Sequence, residues 1–304
     1  MPWIVFAILG AFFWALVHHL DKLLLTKFSV QHGVGTVFIF SSLFPILVLP
    51  IIAFLEPNVF LLSPHATMVL IVAGVLGGVA SLFYFHALEK EETTIVISMF
   101  QLLPLFGYIL GMIFLDEYLS FIQVLGALII IGGATLLSLE FIEEKHVHIR
   151  TAMVVLVSAS AFLYASADVL YKSAGIQTSY LAAVFWFFVG SIVFGFGALI
   201  AVKSFRENFF ATIKGRRSSL IPLNILNELF QTASVLCLTY ALLLAPVALV
   251  LSVDAYQPIF VFFLGVFLTF FFPKLATEKL STRELLQKVI AIGMTVVGVL
   301  LIAH

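Results

Sequence analysis

The sequence predicts an all-α integral membrane protein: ten transmembrane helices in two inverted five-helix repeats. Three observations carry that prediction. The first is composition. Of 304 residues, 62% are hydrophobic, 10% are charged and 33 are Phe. A soluble domain carries roughly 25% charged residues, so this chain cannot clothe a water-facing surface. The second is segment length. A helix needs about 20 predominantly apolar residues to cross a bilayer, and ten segments supply them. The third is a duplication. Shifted by 154 positions, Ala87–Phe114 falls on Ala241–Leu268 without a gap. Ser98 meets Ser252, Pro104 meets Pro258 and Gly111 meets Gly265. Matches among Leu, Val and Phe arise from composition alone, whereas Ser, Pro and Gly at fixed offsets point to an internal repeat.

In order, the segments are Trp3–Leu25, Gly35–Leu55, Ala66–Leu88, Thr93–Leu115 and Ser120–Phe141. Then come Thr151–Lys172, Tyr180–Val202, Leu220–Leu244, Pro246–Phe272 and Glu284–Ala303. Barrel strands would alternate polar and apolar over about ten residues. These runs are longer and apolar nearly all round, so helices are expected. Met-Pro-Trp lacks the charged start of a secretory signal, so the first segment is expected to be retained. The sixth segment echoes the first at an offset of 150, with Trp14-Ala15 over Tyr164-Ala165 and Lys22 over Lys172. The repeats divide the chain into residues 1–141, a linker at 142–150, and residues 151–304. Five helices per repeat is an odd number, which turns one half upside down relative to the other. Such inverted repeats are a transporter signature, because one half rocks against the other around a central site. The break after the seventh segment carries Phe205, Phe209, Phe210 and Ile213 among basic residues, which predicts an interfacial helix over Ser204–Ile213.

Several functions are excluded or disfavoured. Net charge is −1, which gives no basic footprint for nucleic acid. The single Cys237 excludes an intrachain disulfide framework and a cysteine metal cluster. No Ser/His, paired-carboxylate or metal-ligand arrangement is evident, so neither catalytic residues, a metal nor a cofactor is expected, and the protein is not expected to be an enzyme. No phosphate-cradling loop points to ATP as the drive.

Candidate site residues are the polar ones inside the apolar segments. Asn224, Asn227, Glu228 and Gln231 fall at i, i+3, i+4 and i+7 and share one helix face. Glu228 lies roughly 12 Å into its segment at 1.5 Å per residue. A bare carboxylate at helix centre costs about 3 kcal/mol. The face therefore lines a substrate cavity, or it glues helices together by hydrogen bonds. Asp254, Tyr256 and Gln257 precede Pro258, which removes a backbone donor and frees a carbonyl about one turn earlier. A broken helix at membrane depth is a place where ligands are read. Gln101 is the polar residue in the matching turn before Pro104. His18, His19, Asp21 and Lys22 cluster late in the first segment, with His18 and Lys22 one turn apart. Snorkelling to headgroups competes there with an inward role. Trp14, Tyr84 and Tyr164 are candidate cavity walls, with plain packing as the alternative. Asp168 and Lys172 stand one turn apart, the spacing of an ion pair. Gly74, Gly77 and Gly78 make a small-residue face suited to close helix approach, with a cavity floor as the alternative.

With the duplication, Tyr84–Glu89, Ser98–Gly111, the turn Leu115–Ser120, Gly126–Gly133, Tyr240–Ala248, Ser252–Gly265, Glu278–Ser281 and Gly293–Gly298, the chain resembles the EamA-like branch of the drug/metabolite transporter superfamily. The resemblance covers nearly the whole chain. It implies a secondary carrier, commonly an exporter, of small metabolites such as amino acids, with a central cavity between the halves and residence in a bacterial inner membrane. The partners expected are a small-molecule substrate, the lipid bilayer, a proton as coupling ion and a second copy of the chain. A lipid-linked substrate flippase, or a structural or sensory membrane protein, is the alternative.

Orientation follows from basic residues, which collect on the cytoplasmic side. Of the fifteen Lys and Arg residues, all but Lys172 fall on the side opposite the two termini. The charge count thus puts both termini outside the cytoplasm, whereas members of the resembling family are usually drawn with them inside. A C-terminal reporter that is active only in the cytoplasm is expected to stay dark; bright signal in the intact protein would refute the charge count.

Overall fold

Prolines and glycines decide how the apolar segments are cut and packed. The computed structural model describes residues 2–28, 33–90, 96, 100–138, 151–214, 221–254, 256–271 and 282–302. Within them the regular structure is helical, with no strand. The α-helices are α1 (Pro2–Phe28), α2 (Gly33–Leu43), α3 (Leu49–Leu55), α4 (Pro64–Lys90), α5 (Leu103–Phe114) and α6 (Phe121–Ser138). The second half holds α7 (Thr151–Gly175), α8 (Tyr180–Ala201), α9 (Lys203–Lys214), α10 (Ile221–Leu244), α11 (Val247–Asp254), α12 (Gln257–Phe271) and α13 (Thr282–Ile302).

Seven spans among the described residues are long and apolar enough to cross a membrane. They run Pro2–Leu25, Val34–Leu55, Pro64–Glu89, Val154–Gly175, Tyr180–Ala201, Ile221–Leu244 and Val247–Gly265. Leu103–Phe114, Phe121–Gly133 and Val289–Leu301 are apolar helices of shorter length. Two expected helices are not continuous. Gly35–Leu55 is interrupted by a 3₁₀ turn at Phe44–Leu47, because Pro45 and Pro50 lack the N–H groups that an α-helix needs. Pro246–Phe272 is broken between Asp254 and Gln257. There Tyr256 N–H bonds the Val253 carbonyl (3.0 Å) and Ile259 N–H bonds the Tyr256 carbonyl (2.9 Å). Pro258 cannot donate to Asp254, so the helix restarts one turn later. The linker at 142–150 lies outside the described residues.

The strongest packing runs between the first and second halves of the chain. α1 lies along α10 and also meets α11 and α12. α4 lies between α7 and α8, α5 packs on α7 and α11, and α6 pairs with α13. The small-residue face on α4 does bring helix backbones together. A Cβ on Gly74 would sit 2.0 Å from the Phe187 carbonyl oxygen, and one on Gly190 would sit 2.1 Å from the Ile71 carbonyl oxygen. Outward side chains remain apolar: Phe54 is 84% and Phe121 82% exposed, as lipid-facing residues should be.

The short amphipathic helix expected at Ser204–Ile213 is α9. Its aromatic residues divide. Phe205 fills the space over Gly35, and Phe209 meets Phe40 with ring centroids 4.9 Å apart, while Phe210 and Ile213 stay exposed. The helix is therefore anchored on α2 and α8 by one side and presents apolar residues outward by the other.

The α4–α8 crossing gives a direct test. Gly190→Ala forces the two backbones apart and should cost about 1–3 kcal/mol, lowering the melting temperature of the detergent-solubilised protein. Gly197→Ala, on the same helix with nothing within 4 Å of its added Cβ, should leave it unchanged or slightly raised. Equal effects would refute backbone contact at Gly190.

Candidate functional site

The break between α11 and α12 leaves Asp254 as the last residue of one helix and Gln257 as the first of the next. Both face a cavity of about 140 Å³. α1 contributes Trp14 and His18, α4 contributes Tyr84, and α7 contributes Tyr164 and Asp168. Phe100, Phe187 and the apolar side chains of α10 and α11 complete the wall.

One hydrogen-bonded chain crosses four helices at this cavity. Gln257 Nε2 donates to Asp254 Oδ2 (2.7 Å), which fixes the amide orientation. Gln257 Oε1 then accepts from His18 Nε2 (2.8 Å). In the neutral imidazole Nδ1 is left as the acceptor, and the Tyr84 hydroxyl donates to it (2.7 Å). Trp14 stacks on the His18 ring with centroids 5.7 Å apart. Nearby, Ser81 Oγ donates to the Gly77 carbonyl (2.9 Å), which leaves the Tyr164 hydroxyl as donor to Ser81 Oγ (2.7 Å). Asp254 is 5% exposed, and its Oδ1 has no hydrogen-bond partner among the described residues.

A second cavity of about 80 Å³ adjoins the first and shares Trp14, Tyr164, Phe187 and Val235 with it. Glu228, Gln231, Ser41 and Ser81 give it polarity, and Gly74, Gly77 and Gly78 line one side. The glycines thus serve both close approach and the cavity wall. Ser41 on α2 donates to Glu228 Oε1 (2.6 Å).

The sequence-predicted residues divide accordingly. Trp14, His18, Tyr84, Asp254 and Gln257 meet at the larger cavity, and Glu228 and Gln231 at the smaller. Asn227 turns instead to α1 and donates to Asp21 Oδ1 (2.8 Å). Asn224 is fully buried, and its amide has no hydrogen-bond partner among the described residues. Tyr256 stands outside both linings and packs against the apolar core. Gln101 lies in the 3₁₀ turn Phe100–Leu102, and its side chain is outside the described residues. His18 and Asp21 are buried rather than snorkelling, while Lys22 is exposed and does not join His18. His19 Nε2 donates to the Val261 carbonyl (3.1 Å).

The spacing of Asp168 and Lys172 did not make an ion pair. Lys172 Nζ instead pairs with Glu117 in the turn between α5 and α6 and also donates to the Ala245 carbonyl. The other oxygen of Glu117 accepts the Val247 N–H at the start of α11 (2.7 Å). Asp168 is left facing the cavity. The offset of 150 that overlays Trp14 on Tyr164 also overlays His18 on Asp168, a sequence signal that could have marked Asp168 as a cavity candidate. Ser41 and Ser81 carried no comparable sequence signal, because serines are common at helix contacts.

The arrangement offers acceptors without cations. Among the described residues, no Lys or Arg lines either cavity. Such a chamber can bind a small molecule through carboxylates and aromatic faces, and it can carry a proton on a carboxyl.

A solved structure described as "Crystal structure of protein" superposes with a TM-score of 0.66, covering 97% of this chain and 98% of that one. The two are 17% identical, so this likeness concerns the fold. No curated protein matches the chain. The family comparison is specific to the first half and agrees with the resemblance drawn from the repeat motifs. Residues 1–139, somewhat under half of the chain, match the model of the EamA-like transporter family.

Proposed function

We propose that the protein is a secondary transporter of small metabolites such as amino acids, working by alternating access around the cavity between two inverted five-helix halves. The observation that carries this reading is the Tyr84–His18–Gln257–Asp254 chain, which joins α1 and α4 of the first half to α11 and α12 of the second beside an internal chamber. A site held by both halves changes shape when they rock. The packing pairs support the inverted repeat: the contacts α1 with α10 and α4 with α7 exchange under it, and α6 with α13 maps onto itself. Export from a bacterial cytoplasm across the inner membrane is the direction and location that the resemblance favours.

In this reading Glu228 couples transport to a proton gradient. It is 2% exposed, held by Ser41, and lines the chamber adjoining the main cavity. It takes up a proton in one facing state and releases it in the other, while Gln231, Asp254 and Gln257 contact the substrate. The Asp21–Asn227 bond sits beside it on α1 and α10. Glu228→Gln keeps the shape and the Ser41 hydrogen bond but cannot titrate. In proteoliposomes the variant should retain substrate exchange at equal pH and lose accumulation driven by a pH gradient by about tenfold or more, a free-energy difference of roughly 1.4 kcal/mol. Undiminished gradient-driven accumulation would make Glu228 structural. Movement of lipid-linked compounds alone would replace the metabolite reading with a flippase.

A further inference from the structure

From the donor and acceptor inventory of the larger cavity, we propose that its substrate is a compact organic cation, an aromatic or alkyl amine without a carboxylate. The inference rests on the transporter reading above and narrows its substrate class. A zwitterionic amino acid needs a place for its carboxylate: a cation, a cluster of N–H groups, or free hydroxyl protons. Among the described residues, the lining supplies no Lys or Arg. Its hydroxyl protons are already committed. Tyr84 donates to His18, Tyr164 to Ser81, and Thr239 Oγ1 to the Val235 carbonyl (2.6 Å). The buried Lys172 is held by Glu117 and the Ala245 carbonyl, away from the lining.

Apart from the Trp14 indole N–H and the second N–H of the Gln257 amide, the open polar groups of the lining are carboxyl groups. Asp254 lines the cavity, and its buried Oδ1 lacks a hydrogen-bond partner among the described residues. Asp168 lines the same cavity from α7, in the same half of the chain as Asp254, and Lys172 does not neutralise it. An ammonium group bound there would satisfy both. The rest of the wall suits the same guest. Trp14, Tyr84, Phe100, Tyr164 and Phe187 present five aromatic rings, whose negative faces attract cations. Carboxylate and ring faces therefore act in the same direction, and both repel an anion.

The test is a charge series on one aromatic body: phenethylamine, phenylalanine and phenylpropionate, read by binding to the purified full chain and by counterflow in proteoliposomes. Phenethylamine should bind at least about tenfold more tightly than phenylalanine, and phenylpropionate should not bind, given the attraction of a desolvated cation to aromatic rings. Asp168→Asn and Asp254→Asn should each weaken amine binding about tenfold, the loss of one charge contact. The wild-type series needs no variant, so a misfolded mutant does not protect the proposal. Equal or tighter binding of phenylalanine, with counterflow, would overturn the cation assignment while keeping the transporter. Amine affinity unchanged in both folded Asn variants would also overturn it. If the folded protein neither binds nor moves any of the three, the cation assignment falls, and if it also fails to move unrelated metabolites, the transporter reading falls with it.

Discussion

The structure depends on how buried carboxylates are kept in an apolar bundle without cations beside them. An isolated charge moved into low dielectric costs several kcal/mol even after relaxation. Here Asp254 leans on the Gln257 amide, Glu228 on the Ser41 hydroxyl and Asp21 on the Asn227 amide. Each is supported by a neutral donor on one oxygen. Neutral donors relieve part of the cost and leave the carboxyl able to exchange its partner for a proton or a ligand. A lysine at the same place would close that option. The chain of bonds from Asp254 through His18 to Tyr84 also ties the break that Pro258 makes to α1 and α4, beside the chamber.

The one buried lysine among the described residues is used differently. Lys172 and Glu117 are each mostly buried and join three places: the turn after α5, the end of α7 and the turn into α11. An ion pair of this kind is weak evidence for stability, but losing one partner strands the other charge. Its position at converging turns makes it a clamp between elements of both halves. The glycine contact of α4 with α8 is a second fixed point, because backbones that touch cannot slide without separating. The cavities lie among helices held by these two constraints.

Much of this was legible in the sequence. Apolar length pointed to helices, which the described residues form. Pro258 correctly marked the break that presents Asp254 and Gln257. The glycines on α4 correctly marked a close approach. Side-chain partners were less legible, since one-dimensional spacing describes only a helix's own face. Asn227 and Glu228 are adjacent on α10, yet one turns to Asp21 on α1 and the other to Ser41 on α2. Asp168 and Lys172 have ion-pair spacing, but Glu117 reaches Lys172 from a turn that is distant in sequence. The continuous helix expected over Gly35–Leu55 overlooked Pro45 and Pro50, because its hydrophobicity alone satisfied the length criterion.

The central claim is that the transported molecule sits against Asp168 and Asp254. An apolar carbodiimide, which modifies accessible carboxyls inside membrane proteins, followed by peptide mass spectrometry, reads those two positions individually. Both should be modified in the ligand-free protein and protected by saturating phenethylamine, with the exposed carboxylate Glu207 unaffected. Unchanged modification of Asp168 and Asp254 while phenethylamine is being transported would contradict it.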